Sequence, residues 1–190
     1  MVPWSALLLP SVVSAVLVFI ASSLIHMVIK WHQSEYKTLS NEDEVRAVVR
    51  RTSPVPGKYV MPFCKDSKEM ASPEMQKKLA EGPNVVMYVR ESGAVKLGPF
   101  LGKWFAYTLV VSLVVGYVGR ATLAPGAEYL HVFQVVGAAS WLAYAWAIPS
   151  DSIWVGKPWS STFVYMIDGL IYAALTAGSF AWLWPEVVAS

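Results

Sequence analysis

The sequence is poor in charged residues and almost without cysteine. Only 15% of its 190 residues are charged and 55% are hydrophobic, whereas soluble domains average about 25% charged residues. One cysteine, Cys64, excludes an internal disulfide framework and a multi-thiolate metal centre within a single chain. The chain has 15 basic and 13 acidic residues, so its net charge is small. It therefore lacks both the strong basicity that is typical of nucleic-acid-binding proteins and the high net charge that is typical of disordered chains. These shortages favour a membrane protein.

Long apolar runs are what the sequence has in quantity. Crossing roughly 30 Å of hydrocarbon takes about 20 helical residues. Four runs are long enough, residues 6–29, 104–123, 129–148 and 161–184, and Trp or Tyr stands at nearly every end, where amphipathic rings favour the headgroup level. The sequence therefore predicts an all-α integral membrane protein with four transmembrane helices. The first run has no basic residue before it and no small-residue cleavage site after it, so we expect it to be a retained anchor.

The charges lie mainly between the first two runs. Residues 30–103 hold 13 of the 15 Lys and Arg residues, and only Arg120 and Lys157 lie elsewhere. The positive-inside rule places such a segment in the cytoplasm and both termini on the opposite side. We therefore divide the chain into a first transmembrane helix (1–29), a cytoplasmic cap (30–103) and helices 2 to 4 (104–190). A multi-pass protein of a bacterial-type inner (plasma) membrane is expected.

Short elements are predicted within the cap. Polar N-cap signals indicate helices at about 41–51 and from Pro73 to the Gly82-Pro83 stop. Residues 85–90 are typical of a strand, with 95–97 and 58–61 as possible partners. These elements suffice for a small α+β insertion but not for a large independent core. We expect the cap to pack on the membrane surface or on a partner.

Asp168 is the residue that most needs an explanation. It lies about eight positions into the fourth run, roughly 12 Å below the cytoplasmic boundary, where an exposed carboxylate is costly. Helical spacing predicts a polar stripe that also contains Ser161, Tyr165, Tyr172, Thr176 and Ser179. This face must point into the bundle or toward a partner. Asp168 is then either a proton-carrying or substrate-binding carboxylate, or a buried hydrogen-bonding group that fixes helix packing.

His26, near the cytoplasmic end of the first run, is the expected partner of Asp168. Its depth is within reach of Asp168 and Tyr107, and histidine titrates near neutrality. The candidate catalytic residues are thus Asp168 and His26, in an intramembrane polar pocket with Tyr107, Tyr165 and Tyr172. A plain interfacial histidine beside Lys30 is the alternative, and His32 is expected to lie past the membrane.

No cofactor or metal site is expected. His26 and His131 differ in estimated depth by about 20 Å, so they cannot ligate one haem iron. The sequence also has no HExxH, P-loop, GxGxxG, GxSxG or CxxC pattern. Whether the chain is an enzyme is therefore left open.

Small residues predict close helix packing. The second run aligns Ser112, Gly116 and Gly119 on one face, and the third carries Gln134, Gly137 and Ala138. Small residues let helices approach closely in lipid. Their simplest use is packing within the bundle, but a spare face could dock another subunit. Arg120 is expected to tie the second and third runs together through Glu128 or Gln134.

Two functions are compatible with these patterns. The first is a non-catalytic accessory or scaffold subunit of a larger membrane complex, with the lipid bilayer and other membrane subunits, or further copies of the chain, as partners and no nucleic acid. It is favoured by the absence of a recognisable catalytic or cofactor motif. The alternative is a small transporter or membrane-embedded enzyme that uses the Asp/His/Tyr pocket. Binding of anionic lipid by the cap is a weaker third interpretation, because its basic residues are interspersed with acidic ones.

Overall fold

The computed structural model describes residues 2–186, so Met1 and the last four residues of the predicted segment 104–190 lie outside the described residues. The chain forms two compact units, one from Met1–Tyr36 with Lys96–Ser190 and one from Lys37–Val95. In chain order the elements are α1 (Trp4–Ser23), a π-helical segment (Leu24–Ile29), a 3-10 helix (Trp31–Glu35), α2 (Glu42–Arg51), β1 (Gly57–Met61), α3 (Ser67–Met70), α4 (Pro73–Glu81), β2 (Val85–Val89), α5 (Leu97–Thr122), α6 (Tyr129–Ala145), α7 (Pro149–Trp154) and α8 (Trp159–Trp182).

The first unit contains four helical stretches that are long and apolar enough to cross a membrane. They cover Trp4–Ile29, Leu97–Thr122, Tyr129–Trp154 and Trp159–Trp182. Within the bundle α1 packs between α5 and α8, and α6 packs on α8 and α5. The chain is thus mainly helical, as predicted, with a small two-stranded sheet.

Two of these stretches differ from the predicted runs. Helix α5 begins at Leu97, seven residues before the predicted start. The prediction began after Lys103, but a lysine near the start of a membrane helix does not interrupt it, because its long side chain can reach toward water. The third stretch breaks after Ala145 and resumes at Pro149, a residue suited to a first helical position.

Small residues bring the helices into close contact. Ser14 Oγ on α1 donates to Ser112 Oγ on α5 over 2.9 Å, and a Cβ on Gly116 would lie 3.0 Å from the Phe180 ring. Gly119 likewise faces the Trp184 ring, so the small-residue face of α5 is used inside the bundle.

On α6 the small residues divide between two directions. A Cβ on Gly137 would lie 3.3 Å from Ala177 Cβ on α8, whereas Gln134 and Ala138 are exposed. The latter two therefore do not pack inside the bundle, contrary to the simplest expectation. They line an outward groove with residues of α8.

Arg120 joins different helices from those predicted. Its Nε donates to the Val2 carbonyl over 2.7 Å, and its guanidinium lies 5.0 Å from the centre of the Trp4 ring. The expected contact with Glu128 or Gln134 was wrong, because Arg120 lies one helical turn after Gly116 on the face that meets α1.

The second unit contains an antiparallel sheet and short helices. Strands β1 and β2 pair with Lys58 opposite Tyr88. The Ser72 hydroxyl accepts from the Met75 amide over 3.2 Å and starts α4 as predicted. The possible strand at 95–97 was wrong, because Leu97 already belongs to α5.

Candidate functional site

A reversal of the chain after α1 returns a histidine to the bundle. The last turns of this helix widen into the π-helical segment, where the Lys30 amide donates to the Ile25 carbonyl. Lys30 then adopts a left-handed conformation with φ 57°, and the 3-10 helix turns back beside α8. A straight extrapolation of the first run placed His32 beyond the membrane. The structure instead buries His32 against α8, leaving it 6% exposed.

His32 is the centre of a buried chain of polar side chains. Its Nε2 and Asp168 Oδ2 form a hydrogen bond of 2.7 Å, and its Nδ1 bonds to Glu35 Oε1. Asp168 is 2% exposed. An ionised carboxylate only accepts hydrogen bonds, so a ring nitrogen that bonds to one is the donor. Glu35, His32 and Asp168 therefore form a continuous hydrogen-bonded series of side chains, which we call the Glu–His–Asp chain.

His26 lies beside the Glu–His–Asp chain. Its Nε2 lies 3.8 Å from Asp168 Oδ2, and its side chain is 42% exposed. The ring stacks on His32 with centroids 4.4 Å apart. His26 and Asp168 are thus near each other, while the expectation that His32 lies past the membrane overlooked the closest partner of Asp168. The signal that could have found His32 is its three-residue spacing from Glu35, which suits a pair within one helical turn.

An aromatic residue of α8 packs against the His32 ring. The Tyr165 ring lies 4.5 Å from His32, centroid to centroid. The Lys157 ammonium lies 4.0 Å from the centre of the same Tyr165 ring, within the range of a cation–π contact. Lys157 thus packs its charged end over the face of Tyr165.

A cavity of about 520 Å³ adjoins the Glu–His–Asp chain. All five residues of the predicted pocket line this cavity, and so do apolar residues of α5. The lining consists of Ser22, Ser23, His26, Met27, Leu97, Phe100, Leu101, Trp104, Tyr107, Tyr144, Ile148, Tyr165, Asp168 and Tyr172. The cavity is therefore apolar along most of its wall and polar where α1 meets α8.

Three buried polar atoms in this wall have no hydrogen-bond partner among the described residues. They are Asp168 Oδ1 and the hydroxyls of Tyr144 and Tyr172. The Trp31 indole also lies close enough to approach the Asp168 carboxylate as a hydrogen-bond donor, but its geometry does not complete a hydrogen bond to Oδ1. Because buried polar groups are nearly always satisfied in folded proteins, these atoms mark the place where a further group fits the chemistry of the site.

The surroundings of the cavity are held in place by contacts between helices. The Trp104 indole on α5 donates to Ser22 Oγ on α1 over 2.7 Å. Trp104 and Tyr107 stack with centroids 5.4 Å apart. The aromatic wall of the cavity is thus fixed to α1 next to His26.

The remaining predicted residues lie away from this site. Arg120 contacts Val2 at the opposite end of α5, and His131 is exposed in the first turn of α6. Comparison with protein-family models, curated proteins and solved structures finds no match. The function must therefore be inferred from the geometry of the cavity and its polar end.

Proposed function

We propose that this chain is a four-span membrane protein whose cavity binds a lipophilic small molecule with a polar head, as a small transporter or a membrane-embedded enzyme. The observation that carries the proposal is the contact between the 520 Å³ cavity and the buried Glu–His–Asp chain. This favours the pocket function over the accessory role.

The size and lining of the cavity support a small ligand. Ligand sites commonly enclose about 300 to 1,000 Å³ and combine apolar walls with a few convergent polar groups. Here Leu101 and Trp104 offer an apolar surface, while His26, Asp168 and Tyr172 supply the polar end. A hydroxyl group suits that end, because it can both donate to a carboxylate or imidazole and accept from a tyrosine.

The Glu–His–Asp chain gives the ligand's head a partner for proton exchange. Asp168 lines the cavity, and His32 connects it to Glu35 on the far side. A base must lie within hydrogen-bond reach of the proton that it takes. In the proposed function Asp168 or His26 takes or gives that proton, and His32 positions Asp168.

The proposed location is a bacterial-type inner membrane with both termini on the non-cytoplasmic side. The support is the concentration of Lys and Arg in residues 30–103 together with the four apolar helical stretches. In this orientation the Glu–His–Asp chain lies toward the cytoplasmic end of the bundle.

A pair of probes that differ by one hydroxyl tests the ligand site. We expect 4-heptylphenol to raise the apparent melting temperature of the detergent-purified chain by about 5 °C when its free concentration is about one hundred times Kd. Heptylbenzene, which lacks the hydroxyl, should raise it much less. Filling the cavity by Leu101→Trp should abolish the difference between the two probes.

Leu142→Trp is the matched control, because Leu142 is 61% exposed on α6 and does not line the cavity. It should retain the response of the unmodified chain. Equal shifts by phenol and alkylbenzene in the unmodified chain would contradict the proposal. So would a phenol response that survives Leu101→Trp.

The accessory role is a second candidate, supported by a different surface. A groove of about 240 Å³ between α6 and α8 has exposed Gln134 and Ala138 along it. Exposed small residues and a single amide suit the docking of a transmembrane helix from another subunit. Ala138→Leu should release a co-purifying subunit. Purification without any stoichiometric partner would count against this role.

A further inference from the structure

The side chains at the polar end of the cavity form a group that matches a metal site. One nitrogen each from His26 and His32 and one oxygen of Asp168 all lie within 4.8 Å of one another. The measured separations from Asp168 Oδ2 are 2.7 Å to His32 Nε2 and 3.8 Å to His26 Nε2. Ligand atoms around a tetrahedral zinc ion lie about 3.4 Å apart, given bonds of about 2.0 to 2.1 Å. The two observed separations bracket that value.

A second carboxylate orients the central histidine. Glu35 Oε1 bonds to His32 Nδ1, the ring nitrogen that faces away from Asp168. Metal-ligating histidines almost always donate their other ring N–H to a carboxylate, a carbonyl or water, which fixes the tautomer and leaves the first nitrogen free for the metal. The Glu35–His32 contact is that arrangement.

The burial of the group also fits a bound cation. Asp168 and His32 are 2% and 6% exposed, and Asp168 Oδ1 has no hydrogen-bond partner among the described residues. A carboxylate with an unsatisfied buried oxygen is costly. A divalent ion between Asp168 and the two imidazoles would neutralise this charge and replace the proton that His32 shares with it.

We propose that His26, His32 and Asp168 bind a divalent transition metal ion, zinc foremost, with Glu35 as the group that orients His32. Two imidazoles and one carboxylate suit zinc or its first-row neighbours, while calcium and magnesium prefer all-oxygen sites. Three protein ligands leave one position open, as in catalytic zinc sites, and two of the three residues, His26 and Asp168, line the cavity. This goes beyond the proposed ligand site and does not depend on it.

Titration with Co²⁺ as the probe tests this proposal. The full chain is purified in mild detergent, freed of metal with EDTA, and titrated with Co²⁺ while its visible absorption is recorded. We expect one equivalent per chain, a spectrum of low coordination number, and displacement by Zn²⁺. His26→Ala, His32→Ala and Asp168→Asn should each abolish stoichiometric binding, and Glu35→Gln should weaken it about 10- to 100-fold at unchanged stoichiometry.

His131→Ala is the matched control, because it removes the chain's third histidine from an exposed position on α6. It should bind Co²⁺ like the unmodified chain. His26 is more exposed than His32, with 42% of its side chain accessible, so His26→Ala provides the ligand-loss result even if His32→Ala fails to fold. Absence of stoichiometric binding in the unmodified chain would overturn the proposal, as would unchanged binding in His26→Ala.

The outcome can be separated from that of the ligand proposal. The comparison of 4-heptylphenol with heptylbenzene can be run on the EDTA-treated chain. A chain that binds no Co²⁺ but still distinguishes the two probes keeps its ligand site and loses its metal site. A chain that binds Co²⁺ without distinguishing them does the reverse.

Discussion

At the scale of residues, His32 lies closer to the Asp168 carboxylate than His26 does. Both side chains are buried, and their hydrogen bond is 2.7 Å long. Removing one member of such a pair leaves the other without compensation, which typically costs about 3 to 5 kcal/mol. His26 is more exposed and lies farther from the carboxylate. The two histidines should therefore differ in their coupling to Asp168.

A double-mutant cycle measures this difference. With metal removed, we expect the cycle of His32→Ala with Asp168→Asn to give a coupling of about 1 to 3 kcal/mol in the free energy of unfolding. The cycle of His26→Ala with Asp168→Asn should give a smaller value. Reversible unfolding in mixed micelles provides the measurement. A larger coupling for His26 would show that the hydrogen-bonded partner has been misassigned.

At the scale of elements, the tightest glycine contact between α6 and α8 is at Gly169. A Cβ on Gly169 would lie 2.8 Å from Ala145 Cβ and 3.3 Å from the backbone of Ala145 and Tyr144. Backbone atoms of a packed helix cannot move aside as a flexible side chain can. Gly169 lies next to Asp168, so this contact also sets where the carboxylate meets the cavity.

Gly169→Ala should destabilise the bundle, because overpacking typically costs about 1 to 3 kcal/mol. Gly178→Ala in the same helix is the control, since its Cβ would meet nothing closer than the Tyr129 hydroxyl at 3.9 Å. It should be neutral or slightly stabilising, because alanine favours a helix over glycine by about 1 kcal/mol. The measurement is the free energy of unfolding of both variants. Equal losses would mean that the close contact does not control stability.

Sequence patterns anticipated the regular elements better than the site. Hydropathy alone located the four helical stretches, and the Ser72-Pro73 signal correctly marked the start of α4. The position of His32 depended on the π-helical segment and the left-handed Lys30, which hydropathy does not report. Arg120 was assigned to the wrong neighbour because helical depth fixes the height of a side chain but not the helix that it faces.

At the scale of the whole molecule, most of the basic residues lie in one of the two units. Residues 30–103 carry 13 of the 15 basic residues, and most of that segment belongs to the unit Lys37–Val95. The four candidate membrane stretches belong to the other unit. Under the proposed orientation the charged unit faces the cytoplasm, and the short connection between α5 and α6 faces the opposite side.

The single cysteine makes this orientation testable. Cys64 lies in the charged unit, so a membrane-impermeant maleimide should label it only after spheroplasts are permeabilised. In a Cys64→Ser background, Glu128→Cys places a thiol at the start of α6 and should be labelled in intact spheroplasts. The reverse pattern would invert the proposed topology.

The most direct test of the central claim is to locate a bound lipophile within the bundle. A 4-alkylphenol with a diazirine in its chain is photo-crosslinked to the full-length protein, in the presence or absence of excess 4-heptylphenol, and the labelled peptides are sequenced. The account predicts that competable label falls on cavity-lining residues such as Phe100, Leu101 and Trp104. Competable label confined to the outward groove around Ala138, or label that no excess of phenol displaces, would contradict it.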